Sequence, residues 1–356
     1  MRLKSPLAVT FVLAVGLLVA VSGWLLADPM TSRADALRTG GLAAGGVVAL
    51  YALWLNDRRR QVEERRQKVE SDRLELELVR AARDRARITE ERFAKSVELL
   101  GHDADQVRVG ALHALAGLAH NHSEYTQTVL DVLCSYLRRP FDNPHLSESE
   151  KTDPVAEREL QVRLTAQRLV VQLLPPAGSG GKTFDLDLTG ASLEYFDLSG
   201  RAIGTLIMRY AVLLSSTNFS DCEFRGPAWF TATTFGKGRL RGRFRCQDST
   251  FDERAWFSGT EFGGIAEFDR STFRGEASFK KAHFAADAIL RDAVFLSTLE
   301  LHSTRFDALA ELRISGAPKA VALYNTLVRT DRARVPGFWT LLPHAEGVSR
   351  VAHAAD

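Results

Sequence analysis

Phe251, Phe262, Phe273, Phe284, Phe295 and Phe306 fall at intervals of eleven residues. A second series, Phe257, Phe268, Phe279, Leu290, Leu301 and Leu312, keeps the same interval six residues later. Large apolar residues therefore arrive after alternating steps of six and five. Upstream the step is five throughout, at Leu188, Leu193, Leu198, Ile203, Met208 and Leu213, and Phe219, Phe224, Phe230 and Phe235 link the two zones. Neither the 3.6-residue helical period nor the two-residue strand period matches these steps. A chain whose large residues return at a short fixed period winds, stacking each turn on the last.

What precedes each large residue sets the cross-section. Thirteen phenylalanines sit on this register, and the residue two places earlier is always small: Thr217, Cys222, Ala228, Thr233, Ser249, Ala255, Thr260, Ala266, Ser271, Ala277, Ala282, Ala293 and Thr304. Residues i and i−2 of an extended segment face the same way, so each short side turns one small and one large group inward. Between them lie mostly Asp, Glu, Arg, Lys, Gly and Ser, which suit a solvated outer face. The pattern resembles the pentapeptide-repeat family. That resemblance implies a right-handed quadrilateral β-helix over residues 184–315, with Phe251, Phe257, Phe262, Phe268, Phe273, Phe279, Phe284, Phe295 and Phe306 as its core ladder. Four sides of five residues stack Leu188 on Met208 and Leu193 on Leu213. In the eleven-residue zone two repeats make a coil of twenty-two, stacking Phe251, Phe273 and Phe295, with the extra residues bulging at alternate corners. The pattern stops after Gly316, so residues 316–356 read as a C-terminal cover or a disordered tail.

The N-terminal segment belongs to a different solvent. Residues 6–27 carry no charge and would span about 33 Å as a helix, enough to cross a bilayer. A second apolar run, residues 40–55, would reach about 24 Å and must borrow flanking residues. Residues 1–56 thus read as a transmembrane hairpin, with Gly16/Ala20 and Gly41/Gly45 as small pairs permitting close helix approach. Arg2 and Lys4 precede the first run and Arg58, Arg59, Arg60, Arg65, Arg66 and Lys68 follow the second, while Asp28 and Asp35 offset Arg33 and Arg38 in the loop. The positive-inside rule then leaves both termini in the cytoplasm. A bacterial inner-membrane protein with two spans is the expectation.

Residues 57–100 hold thirteen basic and eleven acidic side chains and neither Pro nor Gly, a charged helical stalk. Arg59/Glu63, Arg66/Glu70, Lys68/Asp72 and Glu91/Lys95 sit four apart, as helix-surface ion pairs require. Val62, Val69 and Leu76 keep a seven-residue spacing that Arg83 and Glu90 break, so a homodimer could form through the stalk or the β-helix. Residues 101–175 give three amphipathic segments, a small HEAT-like helical region. Ser123 would cap the second helix, and Asp153 with Pro154 start the third. The expected role of this region is to cap the open end of the β-helix.

Chemistry is the weakest signal. Residues 178–183 (Gly-Ser-Gly-Gly-Lys-Thr) end like a phosphate-binding loop, but the motif requires Gly where Pro176 stands, and no helix follows. The nine histidines are scattered, and Cys134, Cys222 and Cys246 lack metal-site spacing. No catalytic, cofactor or metal site is expected. Between Phe235 and Phe251 the register blurs, and Arg239, Arg241, Arg243 and Arg245 alternate with Leu240, Gly242, Phe244 and Cys246. That alternation is a candidate anion-binding stripe. A net charge of +2 gives no general reason to expect nucleic acid. The partners expected are the lipid bilayer and a protein whose identity the sequence does not name. Some pentapeptide-repeat proteins protect DNA gyrase by resembling B-form DNA, and a gyrase-interacting mimic is the alternative. Residues 184–315, with eighteen acidic and sixteen basic groups, lack the strong acidity such a mimic presents.

Overall fold

The computed structural model describes residues 6–27, 32–146, 153–238 and 242–354. It divides into two units, Met1–Ile88 and Thr89–Asp356. Arg2, Lys4, Asp28 and Pro29 lie outside the described residues.

In the first unit, helix α1 (Pro6–Leu26) precedes helix α2 (Arg33–Leu99), which is continuous for 67 residues and joins the second apolar run to the charged stalk. Ser32 starts α2 reciprocally: the Asp35 amide donates to Ser32 Oγ at 3.2 Å, and that hydroxyl donates to Asp35 Oδ2 at 2.7 Å. Both helices contain stretches long and apolar enough to cross a membrane, and Phe11, Trp24, Leu42 and Leu50 are exposed. The close approach of α1 and α2 falls at Gly40, not at the expected small pairs. A Cβ on Gly40 would lie 2.0 Å from Ser22 Oγ and 3.0 Å from the Leu18 carbonyl, whereas Gly16, Gly41 and Gly45 face open space. Ser22 Oγ also donates to the Ala36 carbonyl at 3.2 Å. Cysteines placed at Ser22 and Ala36 should therefore cross-link under oxidation. Adding Gly40→Leu should cut that yield about tenfold, because an overpacked contact costs roughly 1–3 kcal/mol. An unchanged yield would remove Gly40 from the contact.

The second unit begins with the end of α2 and continues through α3 (Asp105–Asn121), α4 (Thr126–Arg138) and α5 (Pro154–Leu173). Ser123 does not cap: a 3₁₀ turn, Ser123–Tyr125, intervenes, and α4 starts at Thr126 without a side-chain cap. Asp153 does cap α5, its Oδ1 accepting the Val155 amide at 2.9 Å ahead of Pro154. The buried Arg163 guanidinium ties α5 to the end of α4. It donates to the Leu137 and Arg139 carbonyls at 3.0 and 2.8 Å, pairs with Glu159 at 2.9 Å and lies 4.4 Å from the Phe141 ring centroid. Those carbonyls would otherwise be orphaned at the helix C-terminus.

The helices close one end of a four-sided β-solenoid. Leu130, Leu133, Leu137, Val170 and Leu174 share one apolar core with Leu186, Leu188 and Leu193. The edge of the first coil is met by side chains. Gln127 donates to the Asp185 carbonyl and accepts its amide, both at 2.9 Å, so its carboxamide stands in for a strand. Gln167 accepts the Glu194 amide at 3.2 Å, and Arg201 Nη1 donates to the Leu174 carbonyl at 3.1 Å.

Every coil-to-coil pairing in the solenoid is parallel. The first face has seven strands, from Leu186–Asp187 to Ala320–Ala322. Upstream coils are twenty residues long, pairing Leu193 with Leu213. Downstream coils are twenty-two, pairing Phe251 with Phe273 and Phe262 with Phe284. Rings stack down the axis, Phe251 to Phe273 at 4.7 Å and Phe273 to Phe295 at 4.8 Å between centroids, the spacing of neighbouring strands.

Corners alternate in kind. Five-residue steps turn through a left-handed residue such as Arg270 (φ 55°) or Lys281 (φ 57°), closed by an i to i+3 hydrogen bond. Six-residue steps accommodate their extra residue in a bend at the other corners. Small inward residues are hydroxyl-bearing where a carbonyl needs a donor. Thr233, Thr260, Thr304 and Thr326 donate to the carbonyls of Met208, Phe230, Phe279 and Leu301 in the preceding coil, at 2.6–2.8 Å. These four buried hydroxyls are thereby satisfied, whereas that of Thr217 has no partner among the described residues.

Where the register blurs, the coil is twenty-seven residues long, pairing Glu223 with Thr250 and Ala228 with Ala255. The chain spends nine residues from Phe235 to Phe244 where the next coil spends four from Phe262 to Ala266. After this five-residue excursion Phe244 takes a small slot, paired with Thr217 and Ala266, and Cys246 takes the large one. Exchanging the sizes keeps that layer filled, and both side chains are buried.

The winding also continues beyond Gly316. Leu299 pairs with Val321 and Ala310 with Ala333, which places Leu323 and Val328 in the large slots. No phenylalanine marks them, so the pattern legible in the sequence stops at Gly316. A hairpin of strands Trp339–Ala345 and Val348–His353 then pairs antiparallel with the strand Leu327–Arg329.

Candidate interaction surface

Outward residues of the solenoid are set by the same alternation that fills its core. On most faces they form ladders of opposite charge between coils: Asp248 with Arg270, Asp252 with Arg274, Asp269 with Arg291 and Arg254 with Glu276. Hydrogen bonds from Arg270 hold the Asp248 carboxyl below its usual range, and those from Arg313 do the same for Glu311. Such exposed pairs contribute little stability individually. They do neutralise the surface along the axis.

The expected arginine stripe is only partly described. Arg239 and Arg241 fall outside the described residues. Arg243 and Arg245 flank Phe244 on the third face, and both reach one carboxylate, Glu267, at 3.0 and 3.7 Å. Their guanidinium groups remain about half exposed. The excursion that carries them leaves from Gly238, where a Cβ would lie 3.2 Å from the His145 carbonyl. His145 Nδ1 in turn lies 2.8 Å from the buried Glu194 carboxylate, which also accepts from Ser215 Oγ at 3.1 Å.

The first face adds aromatic rings to its own charged pair, Arg254 with Glu276. Trp229 and Trp256 pair in register and stack with ring centroids 3.7 Å apart. Arg209 lies 4.1 Å from the Trp229 ring centroid, and Arg254 lies 5.7 Å from that of Trp256. Tyr210 follows at the corner, 66% exposed with φ 58°. Beside the indoles the corner alternates glycine with larger residues, in the order Gly226, Glu253, Gly275 and Ser297. A Cβ on Gly275 would lie 2.3 Å from the Glu253 carbonyl carbon, and one on Gly226 would lie 2.9 Å from that of Gly204. Pro227, Trp229, Trp256 and the charged Glu253, Arg254 and Glu276 line an open groove there.

Sequence reading missed this cluster. Trp229 and Trp256 are twenty-seven residues apart, so neither the eleven- nor the twenty-two-residue period brings them together. Only the excursion between them does. The available signal was the outward position of both, one residue before a core phenylalanine.

The thiols are packing groups. Burial pushes Cys134 and Cys222 up to about 12, and Cys246 rises well above the ordinary thiol value for the same reason, so none forms thiolate readily. Among the described residues no group of three His, Cys, Asp or Glu side chains is placed to hold a metal ion.

The family model for pentapeptide repeats matches residues 257–305 in nine copies. This is the stretch of regular twenty-two-residue coils. No curated protein and no solved structure matches the chain.

Proposed function

Because the chain is a pentapeptide-repeat protein, we propose that it is a non-enzymatic, membrane-tethered scaffold whose solenoid binds another protein. Two apolar N-terminal helices support the tether, and the charge asymmetry about them supports a bacterial inner-membrane location with both termini cytoplasmic. The observation that carries the binding role is the first face. Trp, Tyr and Arg are the residues that dominate protein interfaces, and here Trp229, Trp256, Tyr210 and Arg209 share one rigid surface. The acid–base ladders between coils favour this reading over a DNA mimic, since among the described residues they interrupt the acidic columns with arginine. Arg243 and Arg245, which share the Glu267 carboxylate on the opposite side of the solenoid, are not part of this surface.

The test is cross-linking of the full chain in cells, followed by mass spectrometry of the proteins attached to it. W229A/W256A should lower the yield of the principal partner about thirtyfold, the effect of losing roughly 2 kcal/mol of hot-spot energy. Both indoles point outward, so the variant should keep the thermal stability of the parent within about 1 kcal/mol. An unchanged cross-linking pattern would remove the first face from the binding role.

A further inference from the structure

Helix α2 changes character within a single turn. Tyr51 and Trp54 stack with ring centroids 5.8 Å apart at the end of the apolar run, and Arg58 lies 5.2 Å from the Trp54 ring centroid. Residues 58–68 then hold six basic and two acidic side chains, whereas residues 69–100 hold seven basic and eight acidic. The excess positive charge is thus confined to the three turns next to the aromatic pair.

These cations are also unspent. The sequence spacing pairs Arg59 with Glu63, Arg66 with Glu70 and Lys68 with Asp72, yet none of these bridges closes. Ion pairs within this helix form further along, at Arg73 with Glu77 and Lys95 with Glu98. Asp57 is engaged by Gln61 at 2.9 Å and not by an arginine. Among the described residues, Arg58, Arg59, Arg60, Arg65, Arg66 and Lys68 have no carboxylate within ion-pair distance, and all six are exposed.

We infer that residues 51–68 form a collar that holds the phosphate-bearing headgroups of anionic phospholipid. Trp54 and Tyr51 mark the depth of the interface, as amphipathic rings do. The basic side chains radiate around the helix just beyond it, where an anionic leaflet attracts each of them. Planar guanidinium groups, five of the six cations, meet phosphate oxygens with paired donors. The bridges left open keep those donors available. The collar rests on the membrane-tether reading and adds to it a choice of lipid.

The test uses the full chain reconstituted in bilayer nanodiscs containing phosphatidylglycerol and phosphatidylcholine. Lipid that stays bound after transfer to detergent is counted by native mass spectrometry. The parent should retain phosphatidylglycerol in preference, and R58Q/R59Q/R60Q should weaken that retention about a hundredfold, at roughly fivefold per charge removed. R58K/R59K/R60K, which keeps the charge, should retain most of it. Equal retention by the parent and the glutamine variant would overturn the collar. Displacement of the lipid by excess inorganic phosphate would also overturn it, since the site would then be one for free anions. Failure of the tether is read separately: release of the parent chain from membranes by alkaline carbonate would overturn both.

Discussion

Phe273→Asp is expected to leave no cooperatively folded solenoid. The Phe273 ring is 1% exposed and lies between Phe251 and Phe295 at 4.7 and 4.8 Å. Truncating a buried phenylalanine costs about 3–5 kcal/mol. The aspartate adds a carboxylate whose nearest neighbours are rings and methyl groups, a burden of several kcal/mol more unless the coil opens to water. Domains of ordinary stability hold only about 5–15 kcal/mol in reserve. Each coil contacts only its neighbours, so the stack should part at this layer and both exposed interiors should aggregate. Circular dichroism of the full chain on heating would show loss of the cooperative β transition. A melt like the parent's would contradict the ring column. Phe273→Leu serves as the control, since Leu290, Leu301 and Leu312 fill large slots elsewhere, and it should cost only about 1–2 kcal/mol.

The second large effect comes from removing the cap. A chain beginning at residue 178 keeps every coil yet loses α4, α5 and Pro175. The Asp185 and Glu194 amides then lose the side-chain carboxamides of Gln127 and Gln167, and the Ala202 amide loses the Pro175 carbonyl. The apolar ends of Leu186, Leu188 and Leu193 also come into water. An open parallel edge over an exposed core is a template for pairing with other chains. The fragment should be recovered mainly as aggregate, while the chain beginning at residue 101 should stay soluble after detergent is removed. Size-exclusion chromatography distinguishes the two, and a monodisperse fragment beginning at residue 178 would contradict the capping role.

The solenoid was legible because its cross-section is too narrow for error. One large and one small group per side is the usual filling rule, which thirteen phenylalanines follow and which Leu186, Phe196, Leu206 and Leu299 depart from. Coil lengths of twenty and twenty-two followed from arithmetic on those positions. The rule fades where another residue fills the slot equally well, as with Cys246 in a large slot, Phe244 in a small one, and Leu323 and Val328 past Gly316. Helix contacts were harder to read. Gly40 rather than Gly41 or Gly45 meets α1, because a shift of one residue turns a side chain by about 100° and composition does not reveal it. The candidate surface was least legible of all. Its two tryptophans meet only across a loop whose length the repeat does not announce.

That loop has a geometric consequence for everything after it. Its excess over a regular coil is five residues, the length of one full side. Had those residues been wound into the stack, every downstream position would have advanced by a quarter turn, and Trp256 would look out from the face next to that of Trp229. The register resumes after them, with Phe235 opposite Phe262 and Phe244 opposite Ala266, so side chains on either side of the interruption still share one direction. The solenoid can thus absorb a gained or lost repeat unit at this corner without reassigning its faces.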